Sequence, residues 1–570
     1  MSLARCLLLI GLLLSFSSKA QMPTDPTQLS QHIIQYEADK GSLRRFYVIA
    51  NSPERRQRLK ELNQQYIARL NALNFKQLTP NNQVDYLLFR RDLEDELREY
   101  ATAEKESEQI KDWFPFAEPI YALEKKRRRG IYLNSEELAR DFESWTTQVA
   151  QAEKKLGEMK TMNPLLASRA EETTKGLQQA IRSVFEFYNQ YDPMFTWWME
   201  KPYPRLNEQL EKLTKFFQPK GQLGTMANDG SGIQGVAVGR DELIRQLKLE
   251  YIPYSPEELL SIANQEFAWC DKELLKASKE MGFGENWRAA QEKVKNSYVP
   301  VGKQPELILR LYNESVDFLK KHDLVTIPPL AEETWRMGMM TPERQLVNPF
   351  FLGGEQILIS YPTASMEHAD KLMSMRGNNP HFSRSTVHHE LIAGHHLQQF
   401  MNNRFETHRR RFNSPFWIEG WSLYWEMVLW DKGFPQSPED KIGMLFWRMH
   451  RCARIIFSLN YHLGKWTPQQ CINFLVDRVG HERANAEGEV RRSFIGGYEP
   501  LYQLAYMVGG LQFVALRKEL VDSGKMTDKQ FHDSILQLNQ LPVELIRALL
   551  TKQPLQQDFK TSWRFYTINK

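Results

Sequence analysis

The sequence predicts a mainly α-helical protein with very little β structure. Apolar residues recur at three- and four-residue spacing through long polar stretches such as 84–100, which is typical of amphipathic helices. Strand patterns are few, the better one at 354–362 and a weaker one at 235–239. Five hydroxyl residues each precede a proline, the pattern of a helix N-cap followed by the first helical position: Ser52, Thr79, Ser255, Ser437 and Thr467.

Length and composition indicate an ordinary globular chain with a large core. The chain has 570 residues, of which 42% are hydrophobic and 25% charged, and it shows no short repeat and no long low-complexity linker. We expect residues 21–570 to form a single catalytic unit, and a division into two helical lobes around a cleft stays open. Beyond the N-terminal segment the odd number of cysteines favours buried thiols, with a Cys452–Cys471 pair as the alternative.

The N-terminus has the pattern of a secretory signal peptide over residues 1–20. Arg5 supplies the positive charge, residues 7–16 the apolar run, and residues 18–20 a small-x-small cleavage site. No later apolar run is long enough to cross a membrane, so we expect an exported protein, periplasmic or secreted, without a membrane span after cleavage. Removal of Arg5 and Lys19 lowers the net charge from +4 to +2.

Neither charge nor a glycine motif indicates a nucleic-acid or nucleotide partner. The dense basic run 125–129 has no interleaved aromatic residues and is interpreted as a solvated helix end. Residues 230–235 match G-x-G-x-x-G, but a dinucleotide site needs a strand before this motif and a helix at its end. Here a loop-like stretch precedes the motif and an extended one follows it, so we expect a loop or hairpin.

A histidine cluster gives the first indication of chemistry. Seven of the 13 histidines lie between His368 and His408, and imidazole is the commonest protein ligand for zinc. His389 and Glu390 begin like the zinc peptidase motif H-E-x-x-H, but Ala393 stands where that motif has its second histidine. The next histidines come two and three residues later.

Helix geometry leaves two alternatives for the second ligand. On a regular helix His395 is rotated by about 240° from His389, whereas His396 returns to the same face but lies about 10.5 Å along the axis. Either the helix bulges around Ala393 and Gly394 so that His395 reaches the ion, or it stays straight and His396 reaches it. Such bulges favour functional sites, and a glycine relaxes the backbone. A helix without metal, whose imidazoles hydrogen-bond one another, is the third interpretation.

A carboxylate further along the chain completes a ligand set. Glu419 lies in the aromatic segment 415–426, where an unpaired buried carboxylate is costly and needs a cation or hydrogen-bond donors. Two His, one Glu and an open fourth position are typical of catalytic zinc. Glu426 lies on the same helical face as Glu419 and is a partner or an alternative ligand. Glu390 is then positioned to take a proton from water at the metal.

Three segments together resemble the bacterial family labelled "domain of unknown function 885": 388–398, 419–426 and 489–512. The family signature is H-E-x-x-P-G-H-x-x-Q followed by E-G-W-A-L-Y, and the resemblance covers nearly the whole mature chain. It implies a large helical, gluzincin-like metallopeptidase fold with a central cleft, related in its logic to neurolysin and angiotensin-converting enzyme. Within the predicted strand, residues 355–361 would form a small β element beside the active-site helix, with an edge next to the metal that holds the substrate by strand addition.

The resemblance also implies the roles of individual residues. One zinc ion per chain would be bound by His389, His395 and Glu419, with Glu390 as the general base and Gln398 close to the site. The family usually has proline where Ala393 stands, and alanine permits a kink without enforcing it.

The third segment offers donors for the remaining steps of a hydrolysis. An oxyanion donor is expected among three tyrosines, of which Tyr506 holds the place of the family's usual one; the other two are Tyr498 and Tyr502. Arg491 or Arg492 can bind a substrate carboxylate through two parallel hydrogen bonds, and we select Arg492.

We therefore expect an exported zinc metallopeptidase that hydrolyses short peptides. An amidase or esterase that uses the same metal on a non-peptide substrate is one alternative, and a non-catalytic peptide- or metal-binding protein is another. The sequence carries no information on peptide specificity or on the oligomeric state.

Overall fold

The computed structural model describes residues 28–221, 229–345, 348 and 350–568. Over these residues the protein is about 70% helical, with 24 α-helices and two short strands, so the predicted mainly α fold is confirmed. The predicted signal peptide, residues 1–20, lies outside the described residues. Within the described part of the chain, no helix is both long and apolar enough to cross a bilayer.

The N-terminal half forms two helical groups. The first three helices belong to a core that continues into the C-terminal half, whereas the next five surround a separate hydrophobic cluster that includes Phe142, Leu177 and Phe217. The bounds of these eight helices are α1 Leu29–Phe46, α2 Pro53–Asn71, α3 Pro80–Gln109, α4 Ala117–Arg127, α5 Ser135–Gly157, α6 Pro164–Tyr188, α7 Pro193–Met199 and α8 Pro202–Gly221.

The remainder of the chain carries the histidine and glutamate motifs. Its helices are α9 Arg240–Leu249, α10 Pro256–Glu280, α11 Trp287–Lys295, α12 Gln304–Lys321, α13 Pro329–Thr334, α14 Pro342–Gln345, α15 His368–Gly377, α16 Pro380–Glu390, α17 His395–Asn402, α18 Pro415–Asp431, α19 Pro438–His462, α20 Pro468–Phe474, α21 Arg483–Ile495, α22 Tyr502–Arg517, α23 Asp528–Leu538 and α24 Val543–Leu550.

All five predicted helix starts are confirmed. In each case the hydroxyl of the N-cap residue accepts a hydrogen bond from the backbone N–H three residues on, and proline occupies the first helical position. Ser255 and Glu258 form the reciprocal capping box that their spacing predicts. The basic run 125–129 lies at the C-terminal end of α4, where Lys125 and Arg128 both pair with Glu54.

The two strands form one small parallel sheet. Strand β1, Arg336–Met339, pairs with β2, Gln356–Ile359, in the register Arg336↔Gln356. The predicted strand therefore exists, but its side opposite β1 is occupied at Leu358, which exchanges both backbone hydrogen bonds with Leu352. The weaker prediction at 235–239 was wrong: this segment is neither helix nor strand, and Gly235 lies against Phe494.

Helix α18 lies between two hydrophobic cores. Trp417 and Trp421 pack into the core shared with α1–α3, whereas Phe416 and Leu423 pack into the core shared with α10 and α19. A helix that is apolar on all sides is stable only when it is buried on all sides, which explains the aromatic sequence of this segment. The two glutamates of this helix, Glu419 and Glu426, are thereby placed in the interior of the molecule.

Helices α18 and α22 cross at a pair of glycines. A Cβ atom at Gly420 would lie 2.6 Å from Gly509 Cα, and a Cβ at Gly509 would lie 2.2 Å from the carbonyl oxygen of Phe416. Only glycine therefore permits this approach of the two backbones. The crossing brings Glu419 of α18 beside the tyrosines at the start of α22.

Candidate metal centre

The expected irregularity between the histidines is a complete break between two helices. Helix α16 ends at Glu390, α17 begins at His395, and the four intervening residues pass through a cis peptide bond between Ile392 and Ala393. The break brings the His389 and His395 rings to a centroid separation of 5.0 Å, nearly perpendicular to each other. Of the two alternatives for the second histidine, the structure shows the one in which residues loop out.

Two contacts hold this break in place. A Cβ atom at Gly394 would lie 1.9 Å from the carbonyl oxygen of His389, so only glycine fits against the end of α16. The Trp421 indole N–H donates to the carbonyl oxygen of Ala393 at 3.0 Å. Helix α18 thus fixes the break whose far end carries His395.

His396 points away from this site. Its Nδ1 lies 3.0 Å from the carbonyl oxygen of Gly354 and its Nε2 lies 2.8 Å from that of Ala331. Both ring nitrogens therefore face backbone carbonyls, one within α13 and one just before β2. The alternative of a straight helix with His396 as second ligand does not occur in this structure.

Three side chains converge with the geometry of a metal site. Glu419 Oε2 lies 3.2 Å from His395 Nε2 and 3.6 Å from His389 Nε2, and one ligand atom from each residue lies within 4.8 Å of the others. Two ligands at about 2.1 Å from a tetrahedral zinc ion lie about 3.4 Å apart, close to these separations. Glu419 Oε2 is buried and, among the described residues, faces these two imidazole nitrogens without a well-directed hydrogen bond. The donor set and the position of this oxygen therefore fit a zinc ion.

The surrounding residues orient these three ligands. His389 Nδ1 lies 2.7 Å from Glu426 Oε1, a contact that fixes the orientation of the ring and turns Nε2 toward the site. Gln398 Nε2 donates to the carbonyl oxygens of Trp417 and Ile418 and so joins α17 to α18 just before Glu419. Glu426 takes the supporting role that its spacing predicts.

The electrostatics depend on the buried carboxylate. Burial on its own would raise the pKa of Glu419, but His395 and His389 hold it well below its usual range. Burial likewise lowers the pKa of His395, but the Glu419 carboxylate outweighs it and raises this pKa to about 9. In the metal-free protein, a proton on His395 therefore supplies the positive charge beside the Glu419 carboxylate.

Glu390 faces the same cavity as the ligands. Its side chain is only 9% exposed, and burial raises its pKa. The segment that contains Gly353 covers it closely, because a Cβ at Gly353 would lie 2.4 Å from Glu390 Oε2. The residue expected to act as a base is thus held beside the ligands without belonging to the cluster of three.

The three candidate tyrosines line one wall of the cavity. The Tyr502 hydroxyl donates to Glu419 Oε1, so it supports the ligand. The Tyr506 ring stacks over His389 at a centroid separation of 6.0 Å, with the guanidinium of Arg454 on it at 4.3 Å. Tyr498 lies under the guanidinium of Arg492 at 4.8 Å. Tyr498 and Tyr506 therefore remain as hydroxyl donors.

The cavity that these residues share has a volume of about 300 Å³. Phe350, Phe351 and Trp447 supply apolar surface, and four arginines supply charge: Arg344, Arg451, Arg454 and Arg492. Arg491 is absent from its described lining, so of the two predicted arginines only Arg492 reaches the cavity.

Sequence reasoning missed Arg451 and Arg454. Both lie on α19 with Trp447, at the four- and three-residue spacing that places side chains on one helix face. That spacing is visible in the sequence, but a helix face carrying arginines is normally solvent-exposed. Only the burial of α19 between α10, α16 and α22 turns this face into a cavity wall.

Comparison with known proteins places the chain in a family. Residues 49–550 match the family described as bacterial proteins of unknown function (DUF885), and the chain belongs to it. Among curated proteins none matches.

Two solved structures are similar in fold. A candidate lipoprotein of unknown function from Shewanella oneidensis has 16% sequence identity and a TM-score of 0.66, over 93% of this chain and 100% of that one. A candidate lipoprotein from Colwellia psychrerythraea has 16% identity and a TM-score of 0.58, over 93% of this chain and 98% of that one. At this identity the likeness concerns the fold alone.

Proposed function

We propose that this protein is an exported zinc-dependent metallopeptidase that hydrolyses short peptides. The observation that carries the proposal is the convergence of His389, His395 and Glu419 with Glu390 beside them in one buried cavity. Two His and one carboxylate that leave a coordination position open are typical of catalytic rather than structural zinc. The cavity of about 300 Å³ lies at the small end of ligand sites and suits a short peptide.

The residues have separate tasks in hydrolysis of an amide bond. A zinc ion held by the three ligands would supply Lewis acidity toward a carbonyl oxygen and toward water. Glu390 accepts the proton of the attacking water and delivers it to the leaving nitrogen. Tyr506, or Tyr498 beside it, donates a hydrogen bond to the carbonyl oxygen as negative charge develops there.

Export is proposed from two observations. Residues 1–20 have the pattern of a secretory signal. Both similar structures belong to proteins described as candidate lipoproteins, a class that is exported. Cys6 precedes the apolar run, and a lipid-anchoring cysteine follows such a run, so we propose export without a lipid anchor at this residue.

The test compares metal content and turnover in two variants. Glu390→Gln keeps the size of the side chain but cannot accept a proton, so we expect about one zinc per chain with turnover reduced by about 10²- to 10⁴-fold. His389→Ala is expected to lose both the metal and the activity. Full peptide hydrolysis by Glu390→Gln would contradict the mechanism.

Substrate profiling separates the peptidase from its alternatives. A digest of a mixed peptide library is run beside a set of acyl esters and non-peptide amides. Cleavage of the esters or amides without peptide cleavage would favour a different hydrolase on the same metal. Zinc binding with no hydrolysis of any substrate would favour a binding protein.

A further inference from the structure

We infer that the arginines of the cavity form a binding site for a substrate carboxylate, centred on Arg454 and Arg492. The inference rests on the proposed function for the position of the scissile bond and on the arginine geometry for the site itself. It defines the substrate as a peptide that carries a free carboxylate within one or two residues of the bond that is cut.

The first observation is that buried guanidinium donors lack partners. Arg454 is 2% exposed, and of its five N–H groups only the one on Nε is used in the described structure, at 2.7 Å from Glu489 Oε1. Arg492 is 6% exposed, and its one hydrogen bond to a described residue is a 3.5 Å contact from Nη1 to Asn348. Buried donors without partners are rare in proteins, and an anion that accepts from both guanidinium groups would satisfy them.

The second observation is the charge balance of the site. The four cavity arginines face four nearby carboxylates, because Glu390 and Glu419 line the cavity while Glu426 and Glu489 pair with Arg451 and Arg454 behind it. Glu489 also serves Arg492, at 3.7 Å. These eight side-chain charges balance one another before any cation at the histidines is counted. Zinc would leave the cavity with an excess positive charge, which a substrate anion offsets.

The third observation is the position of the arginines relative to the ligands. The Tyr506 ring contacts residues of both groups, because its centroid lies 6.0 Å from that of His389 and 4.3 Å from the Arg454 guanidinium. By the sum of these two distances, the Arg454 guanidinium lies within about 10 Å of the His389 ring. In a cavity of about 300 Å³ this places the scissile bond near the anion.

A terminal carboxylate and an acidic side chain have the same chemistry, and three probes distinguish them. Binding to the Glu390→Gln protein as purified is measured by calorimetry, so that no turnover is needed. The probes are acetyl-tetra-alanine as the free acid, the same peptide as the C-terminal amide, and acetyl-Ala-Ala-Glu-Ala-amide. For the anionic form we expect a Kd about 30-fold lower than for the neutral amide, which corresponds to about 2 kcal/mol.

Tighter binding of the free acid supports a site for the C-terminus, and tighter binding of the glutamate peptide supports a site for a side chain. Equal affinities within about threefold for all three probes would overturn the inference. If the wild-type protein hydrolyses no peptide but the preference for the anionic probe is present, the proposed function is contradicted and the inference is not. The charge preference in binding does not depend on cleavage.

Arginine variants show which side chains cause the preference for the anionic probe. Arg454→Lys and Arg492→Lys keep the charge but lose the planar fork, so each should reduce the preference for the anion by about tenfold. Arg448→Lys is the matched control, since Arg448 lies on the same helix but pairs with Glu266 away from the cavity. If Arg454→Lys does not fold, Arg344→Gln replaces it, because this cavity arginine has an exposed side chain. An undiminished preference in every cavity variant would refute the assignment.

Discussion

Glu426 is expected to set the affinity of the proposed zinc site without contacting the ion. Its Oε1 lies 2.7 Å from His389 Nδ1 and 3.3 Å from Arg451 Nη2, and its side chain is buried. In Glu426→Gln the shape is retained, but the charge that holds the His389 ring in its orientation is lost. Loss of such a partner typically weakens metal binding by 10- to 100-fold, about 1.4 to 2.8 kcal/mol.

The assay is the zinc dissociation constant, measured by competition with a chelating dye at fixed pH. Glu266→Gln is the matched control. Glu266 pairs at 2.8 Å with Arg448, which lies on α19 together with Arg451, and this pair does not contact the site. Both variants lose one buried charge partner, so both should lower the thermal stability of the metal-free protein. The reasoning would be refuted if the zinc dissociation constant of Glu426→Gln lay within twofold of the wild-type value, as that of the control Glu266→Gln is expected to do.

The remaining predictions concern the histidine break. His395→Ala should lose zinc while His396→Ala keeps it, since only His395 faces Glu419; metal analysis of the two purified variants decides this. Gly394→Ala should displace the end of α16, cost about 1 to 3 kcal/mol of stability and reduce the zinc content, as denaturant titration and metal analysis can show. The pKa of His395, raised to about 9, predicts that zinc affinity falls by about tenfold per pH unit below pH 9, because the metal must displace a proton. Protonation of His395 also stabilises the metal-free fold. This stabilisation is fully present below about pH 6.5 and is lost as the pH rises through 9, so the unfolding free energy of the metal-free protein should decline over that interval.

Local signals in the sequence were sufficient for the helices. A hydroxyl, a proline and an amphipathic repeat act within a few residues, so starts such as Ser255 could be recognised without knowledge of the fold. Strand β1 could not, because residues such as Met337 adopt this conformation only through pairing with β2.

The candidate site was predictable in composition but not in geometry. The H-E pair and the clustered histidines pointed to His389 and Glu390, and a carboxylate within an aromatic segment pointed to Glu419. The choice between His395 and His396 depends on the contact from Trp421 to Ala393, which lies 28 residues away and has no local signature. A long-range contact of this kind becomes visible only in the folded chain.

The glycine crossing of α18 and α22 has a consequence for motion. Because the backbones touch at Gly420 and Gly509, neither helix can slide or tilt against the other without a clash. Glu419 and the tyrosines of α22 therefore move as one rigid body, and the hydrogen bond from Tyr502 to Glu419 fastens its cavity end. Any widening of the cavity for a bound molecule must then come from other parts of its wall, while the spacing between Glu419 and the tyrosines of α22 stays constant.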